Sequence, residues 1–159
     1  MGRVTQRMRA QLETQGFLGL SDDEIRDIYY WLRFAPLVAC LWTSAGVLTE
    51  SSAALWAFVP LSLGGAVLSR HPLDTFYMLV IRPRFGTAAI PAYGAPRRFT
   101  CALSAMCLAV TGVCFAAGAT TAGRVLGAIV LAVMAVQVTT GACVPATMYA
   151  VLRRAMRLS

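Results

Sequence analysis

The residues with the most chemical reach in this sequence lie together near its end: Gln137, Thr140, Gly141, Cys143 and Pro145. A proline cannot donate to the carbonyl four residues before it, and its ring crowds that same carbonyl. Here that residue is Gly141, one helical turn after Gln137, so a freed carbonyl and a long amide would share one helix face. The patch has two readings. One is a small site for a bound lipid, quinone or pigment. The other is a kinked helix whose polar groups tie it to its neighbours, at about 1 kcal/mol each or less. No cofactor motif accompanies either reading, and none is predicted.

Cysteine offers less. Cys40, Cys101, Cys107, Cys114 and Cys143 are scattered, with no C-x-x-C pair. Cys107 and Cys114 share a helical face, but that spacing is about 10 Å and too long to bridge. Buried thiols acting as small apolar residues stand against a reactive Cys143. His71, the single histidine, precedes Pro72 and suits a helix start or a headgroup contact. As a haem or chlorophyll ligand or a pH sensor it would act alone, so no metal site is predicted. Arg82, Arg84, Arg97 and Arg98, with Phe76 and Tyr77, are candidates for contact with anionic headgroups or a partner's acidic surface. Simple topology signalling is the alternative for the arginines.

The elements that must carry these residues follow from composition. Of 159 residues, 58% are hydrophobic and 13% charged, where a soluble domain carries roughly 25% charge. So short a chain cannot hide that much apolar surface from water, which excludes an ordinary soluble enzyme. All fourteen basic residues are arginine, and against seven Asp and Glu they give a net charge of +7. Those arginines sit at the ends of apolar blocks, which is membrane topology and not a nucleic-acid face.

Four charge-free runs stand out: 34–49, 53–68, 99–117 and 125–152. The first is about 24 Å long as a helix, short of a hydrocarbon core of about 30 Å, so flanking aromatic residues must help. Tyr29, Tyr30 and Trp31 supply a belt there, and Arg33 can extend towards headgroups. Pro60 predicts a kink in the second run. The fourth would reach about 42 Å, so it must tilt, kink or protrude, with Gly141 and Pro145 as the kink. The expected fold is all-α and integral to a membrane, with four transmembrane helices paired as two antiparallel hairpins. Its segments are a cytoplasmic amphipathic N-terminus leading into the first helix (1–33), a first hairpin (34–69), a cytoplasmic connection (70–98), a second hairpin (99–152) and a cytoplasmic tail (153–159).

Local signals refine this outline. With Arg3, Arg7, Arg9 and the acidic run from Asp22, no signal peptide is expected, and with Gln6 no myristoylation signal is expected after Met1–Gly2. Val4, Met8 and Leu12 fit a short amphipathic helix on the membrane surface, with a frayed polar tail as the alternative. Ser21 and Glu24 make a capping box that starts a helix near Asp22. In the connection, Leu73, Phe76, Tyr77, Val80 and Ile81 line one face of an interfacial helix that Pro83 should end, followed by an irregular loop. Small residues at Gly64–Gly65, Ala105/Ala109 and Gly112/Ala116 let helices approach closely. Only Arg124 lies between the runs of the second hairpin, so both termini and the connection are expected in the cytoplasm.

His71-Pro72-Leu73-Asp74, Ile81-Arg82-Pro83 and Ala95-Pro96-Arg97-Arg98-Phe99 resemble the domain-of-unknown-function family 4395 of small bacterial inner-membrane proteins. Thr140-Gly141-Ala142-Cys143, Tyr149 and Arg153-Arg154 look like its terminal signature, and the likeness covers roughly 34–154. The resemblance implies a bacterial inner-membrane location. Because some members occur near rhodanese-type sulfurtransferases, it also implies a link to thiol or sulfur handling. Many members carry a second cysteine three residues after the match to Cys143, where this chain has Ala146. That departure removes the dithiol.

Three functions remain in view. A non-catalytic structural or accessory subunit of a larger membrane complex, respiratory or photosynthetic, fits the lack of charge at depth and the helix-packing faces. Its partners would be membrane lipids and other membrane subunits. A thiol-handling protein centred on Cys143 is the second reading. A small-solute transporter is the third, and it lacks the intramembrane charges that ion or polar-solute passage requires.

Overall fold

The computed structural model describes residues 4–158, and all of its regular elements are helical. The Met1–Gly2 start and Arg3 lie outside the described residues. Helix α1 (Gln6–Thr14) begins where Thr5 Oγ1 accepts the Met8 N–H at 3.3 Å. Helix α2 (Asp22–Ile28) starts at the expected capping box: Ser21 N–H donates to Glu24 Oε2 at 2.8 Å and Glu24 N–H to Ser21 Oγ at 3.3 Å. The Ser21 N–H and hydroxyl, both donating to Glu24 Oε2, hold that carboxyl below its usual pKa. A single 3₁₀ turn, Trp31–Arg33, then leads into α3 (Phe34–Leu48).

A tight turn reverses α3 into α4 (Ser52–Val67), where Ser51 Oγ accepts the Ala54 N–H at 3.2 Å. Helix α7 (Ala95–Ala116) and helix α8 (Thr120–Thr140) form the other hairpin. Helix α4 packs most extensively on α7, while α3 and α7 each border α8. Glycines permit this approach. A Cβ on Gly112 would lie 2.4 Å from Trp56 Nε1, and one on Gly127 would lie 2.5 Å from Val47. Leu55, Phe58, Leu108 and Phe115 form the core of the bundle. At one end Arg124 Nε donates to Glu50 Oε1 at 2.7 Å, tying the two hairpin tips together.

Trp31–Leu48, Ala95–Ala116 and Thr120–Thr140 are each long and apolar enough to cross a membrane. Helix α4 reaches that measure only together with Pro72–Phe85, from which it is bent by 78°. The bend contains a helical run of three parts: α5 (Pro72–Phe76), one wide π turn (Tyr77–Ile81) and α6 (Arg82–Phe85). Pro83 does not end this run as expected. The π turn absorbs the proline's missing donor and ring bulk by shifting to wider hydrogen bonds, with Arg82 N–H reaching Tyr77 O. The run stops three residues later at Gly86, where φ is +61°.

Three further expectations are corrected. The run 125–152 is not one kinked helix: α8 stops at Thr140, and α9 (Val144–Leu158) starts anew. Helix α7 begins at Ala95 and so takes in Arg97 and Arg98, which the sequence placed in a loop. The N-terminal segment packs on protein instead of a membrane surface. Leu12 is buried with Phe17, Ile25, Ile28, Leu32, Tyr77, Ile90 and Tyr93, and Val4 and Met8 border the same cluster. Tyr77, expected on a lipid-facing stripe, is therefore core. Its hydroxyl meets Thr87 Oγ1 at 2.6 Å, and Trp31 packs on its ring.

Candidate functional site

The break between α8 and α9 organises everything at the arginine-rich end. Gly141 ends α8 in a left-handed conformation, φ +77°, with its N–H donating to Gln137 O at 2.9 Å. Pro145 then falls in the first turn of α9, where a missing N–H costs little. A helix end leaves its last carbonyls without partners, and the N-terminal elements supply donors for them. Arg33 Nη1 donates to Thr139 O at 3.1 Å and Val138 O at 3.3 Å. Gln11 Nε2 donates to Thr140 O and Gln15 Nε2 to Gly141 O, each at 3.0 Å. Tyr29 joins the set, its hydroxyl donating to Gln11 Oε1 at 2.7 Å and accepting from Arg33 Nη2 at 2.8 Å.

This cap revises several expectations. Arg33 does not extend to headgroups; its charge sits where the helix dipole favours a cation. The Gly141 carbonyl is not free for a ligand, because Gln15 occupies it. Thr140 Oγ1 bonds to Val136 O in its own helix and accepts the Ala142 N–H. Thr140 and Gly141 are thus parts of a structural joint. Of the expected aromatic belt, Tyr29 is buried and only Tyr30 is well exposed.

Arg97, assigned to the cytoplasmic surface with Arg82, Arg84 and Arg98, is instead 4% exposed; the other three are exposed. A buried cation in the first turn of a helix opposes the dipole and needs compensation. Arg97 finds it in the side chain of Gln15, in Leu32 O at 3.1 Å, and in the rings of Tyr93 and Phe17 at 5.0 and 5.6 Å. Asp74, also buried, accepts the Tyr93 hydroxyl and lies within electrostatic reach of Arg97. Burial drives the Tyr93 phenol above its usual pKa, and Asp74 adds to the shift against the opposing pull of Arg97.

Beside Arg97 a cavity of about 250 Å³ opens among α3, α4, α7, α8 and α9. Ala35, Ala39, Phe58, Val130, Val133 and Met134 make its apolar wall. Ser62, His71, Tyr93, Arg97, Thr100 and Gln137 supply its polar groups, and Cys101 and Cys107 also line it. Ile129, Val144 and Met148 form a rim exposed on the outside of the bundle. His71 Nδ1 accepts the Leu73 N–H at 3.2 Å and so caps α5. The imidazole is therefore neutral, with its proton on Nε2. Among the described residues no three His, Cys, Asp or Glu side chains gather as a metal ion would require.

Of the five residues of the expected patch, Gln137 and Pro145 line this cavity. Cys143 is buried outside its lining, with Sγ 3.3 Å from Oγ1 of the lining residue Thr100. Phe76 is half-exposed and stacks on Phe34. The sequence reading missed Ser62, Tyr93 and Thr100 at the cavity, and Gln11, Gln15 and Tyr29 in the cap. The one signal for the cap was a pair of uncharged amides four residues apart, Gln11 and Gln15, flanking Leu12.

The family described as "Domain of unknown function (DUF4395)" matches residues 30–154. No curated protein and no solved structure matches the chain.

Proposed function

Since the chain belongs to the DUF4395 family, whose description assigns no activity, we propose from its site and surface that it is a non-catalytic accessory subunit of a larger bacterial membrane assembly. It would cross the inner membrane four times, with α4 as the second pass and α5–α6 turned along the cytoplasmic interface. Both termini would be cytoplasmic. The observation that carries this reading is the outer surface of the passes. Leu41, Trp42, Leu63, Val113, Val125 and Ile129 are all exposed, offering lipid and neighbouring helices only apolar contact. Several polar groups at depth turn inward to their own helices, as Ser44 does to Cys40 O and Thr111 to Cys107 O. Exposed Arg82, Arg84 and Arg98 would meet anionic headgroups or an acidic partner face.

Two measurements test this reading. Native electrophoresis of the tagged chain from its own membrane in mild detergent should show it migrating in a defined larger complex; a monomer with nothing co-purifying contradicts it. A C-terminal tag should be accessible only from the cytoplasmic side, and accessibility from outside overturns the orientation. The placement of Cys143 against Thr100, with Cys101 and Cys107 on the cavity wall, favours a second reading as a thiol-handling protein. Labelling of Cys143, together with loss of sulfur transfer in Cys143→Ser, would support it. An unlabelled Cys143 ends it.

A further inference from the structure

Three buried polar side chains on the cavity wall have a hydrogen-bonding group that no protein atom engages among the described residues: the Gln137 amide, the His71 Nε2–H and the Ser62 hydroxyl. Gln137 is 9% exposed, His71 6% and Ser62 3%, and all three line the cavity. These atoms are open to the cavity and not sealed in packed protein, since the enclosed polar side-chain atoms without a partner among the described residues are Arg26 Nε, Arg33 Nε and Thr43 Oγ1. Their hydrogen-bonding capacity is available to a group that enters the cavity. Arg97, by contrast, already donates to Gln15 and to Leu32 O, and Asp74 lies within its electrostatic reach. The cavity groups left to engage a ligand are therefore neutral donors. That combination suits a neutral carbonyl acceptor and not a carboxylate.

Size and opening narrow the class further. About 250 Å³ is smaller than most pockets that enclose a whole drug-sized molecule, which run about 300–1,000 Å³. The space suits one ring-sized head. The exposed rim at Ile129, Val144 and Met148 lies on the side of the bundle that would face lipid, so an apolar tail can leave through it.

We propose that this cavity binds the head of a neutral, membrane-soluble carbonyl compound of the quinone class, with Gln137, His71 and Ser62 as hydrogen-bond donors to its carbonyl oxygens. Apolar contacts from Phe58, Val130 and Met134 hold the ring, and the tail lies between α8 and α9 towards the bilayer. The inference rests on the bundle's lying in a bilayer and is independent of the accessory role.

The test uses the full chain in lipid nanodiscs with decylubiquinone as the probe and palmitate as the competing acid. Titration should give saturable binding of decylubiquinone that palmitate does not displace. Gln137→Leu should weaken it by about tenfold while its unfolding midpoint stays at or above that of the parent, because Gln137 has no protein partner to lose. Ser62→Ala, the milder change, should weaken binding in the same direction and keeps the test open if Gln137→Leu misfolds. Absence of saturable binding to the parent chain, undiminished binding by the folded variants, or displacement by palmitate would overturn the proposal.

Discussion

The cap over α8 and the cavity beneath it lie within a few residues of each other and treat polar groups in opposite ways. In the cap, the carbonyls of Val138, Thr139, Thr140 and Gly141 all receive donors, drawn from Gln11, Gln15 and Arg33. In the cavity, Ser62, His71 and Gln137 keep groups that nothing in the described protein engages. One region commits its side chains to holding a broken helix together, with Arg33 Nε left over; the other leaves its polar groups available. Polar residues near one helix break therefore divide by partner and not by type. Two glutamines seal a joint and a third faces open space.

The sharpest way to break that division is at Arg97, which borders both regions. Arg97→Met should destabilise the chain by about 3–5 kcal/mol, because Gln15 Oε1 and Leu32 O are left buried without their charged donor and Asp74 loses a nearby positive charge. Chemical unfolding in mixed micelles measures this. An effect below about 1 kcal/mol would mean that water or lipid reaches the cluster. Next in size is Arg33→Met, which removes the donor to Val138 O and Thr139 O. A loss of about 1–3 kcal/mol is expected, with faster amide exchange in the last turn of α8. Gln137→Leu should change stability by less than about 0.5 kcal/mol in either direction, and a large loss would move Gln137 from the open region to the sealed one. The smallest effect concerns α2. Ser21 holds the Glu24 carboxyl below its usual pKa, so the capping box is fully effective above the unfolded value of about 4.3. Its contribution is lost as pH falls through the lower folded value. Amide exchange at the start of α2 should accelerate only under acid, and no change between pH 6 and 3 would contradict this.

Much of this was legible in the sequence for definite reasons. Apolar runs are local, so the blocks that became α3, α4, α7 and α8 could be read directly. The Ser21–Glu24 box spans only three positions. The glutamine contacts of the cap could not be read that way. Gln11 meets Thr140 across 129 positions and Gln15 meets Gly141 across 126, and no local pattern encodes such a pairing. The same distance explains the helix break. Gly141 and Pro145 alone suggest a kink, and a full stop becomes tolerable only once a remote segment satisfies the exposed carbonyls. Arg97 was misplaced because an arginine among prolines and glycines reads as surface. Its burial depends on Gln15, Leu32 O and the Tyr93 ring, which reach it from three separate segments.

The division between sealed cap and open cavity is tested most directly by exchanging one glutamine from each. Gln11→Leu and Gln137→Leu, prepared as full chains in nanodiscs, would each be measured for unfolding free energy and decylubiquinone affinity. The expected result is a crossing: Gln11→Leu loses about 1–2 kcal/mol of stability and binds as the parent does, while Gln137→Leu keeps its stability and binds about tenfold more weakly. If the two variants lose stability alike, or if Gln137→Leu binds as tightly as the parent, the cavity is packing and not a site.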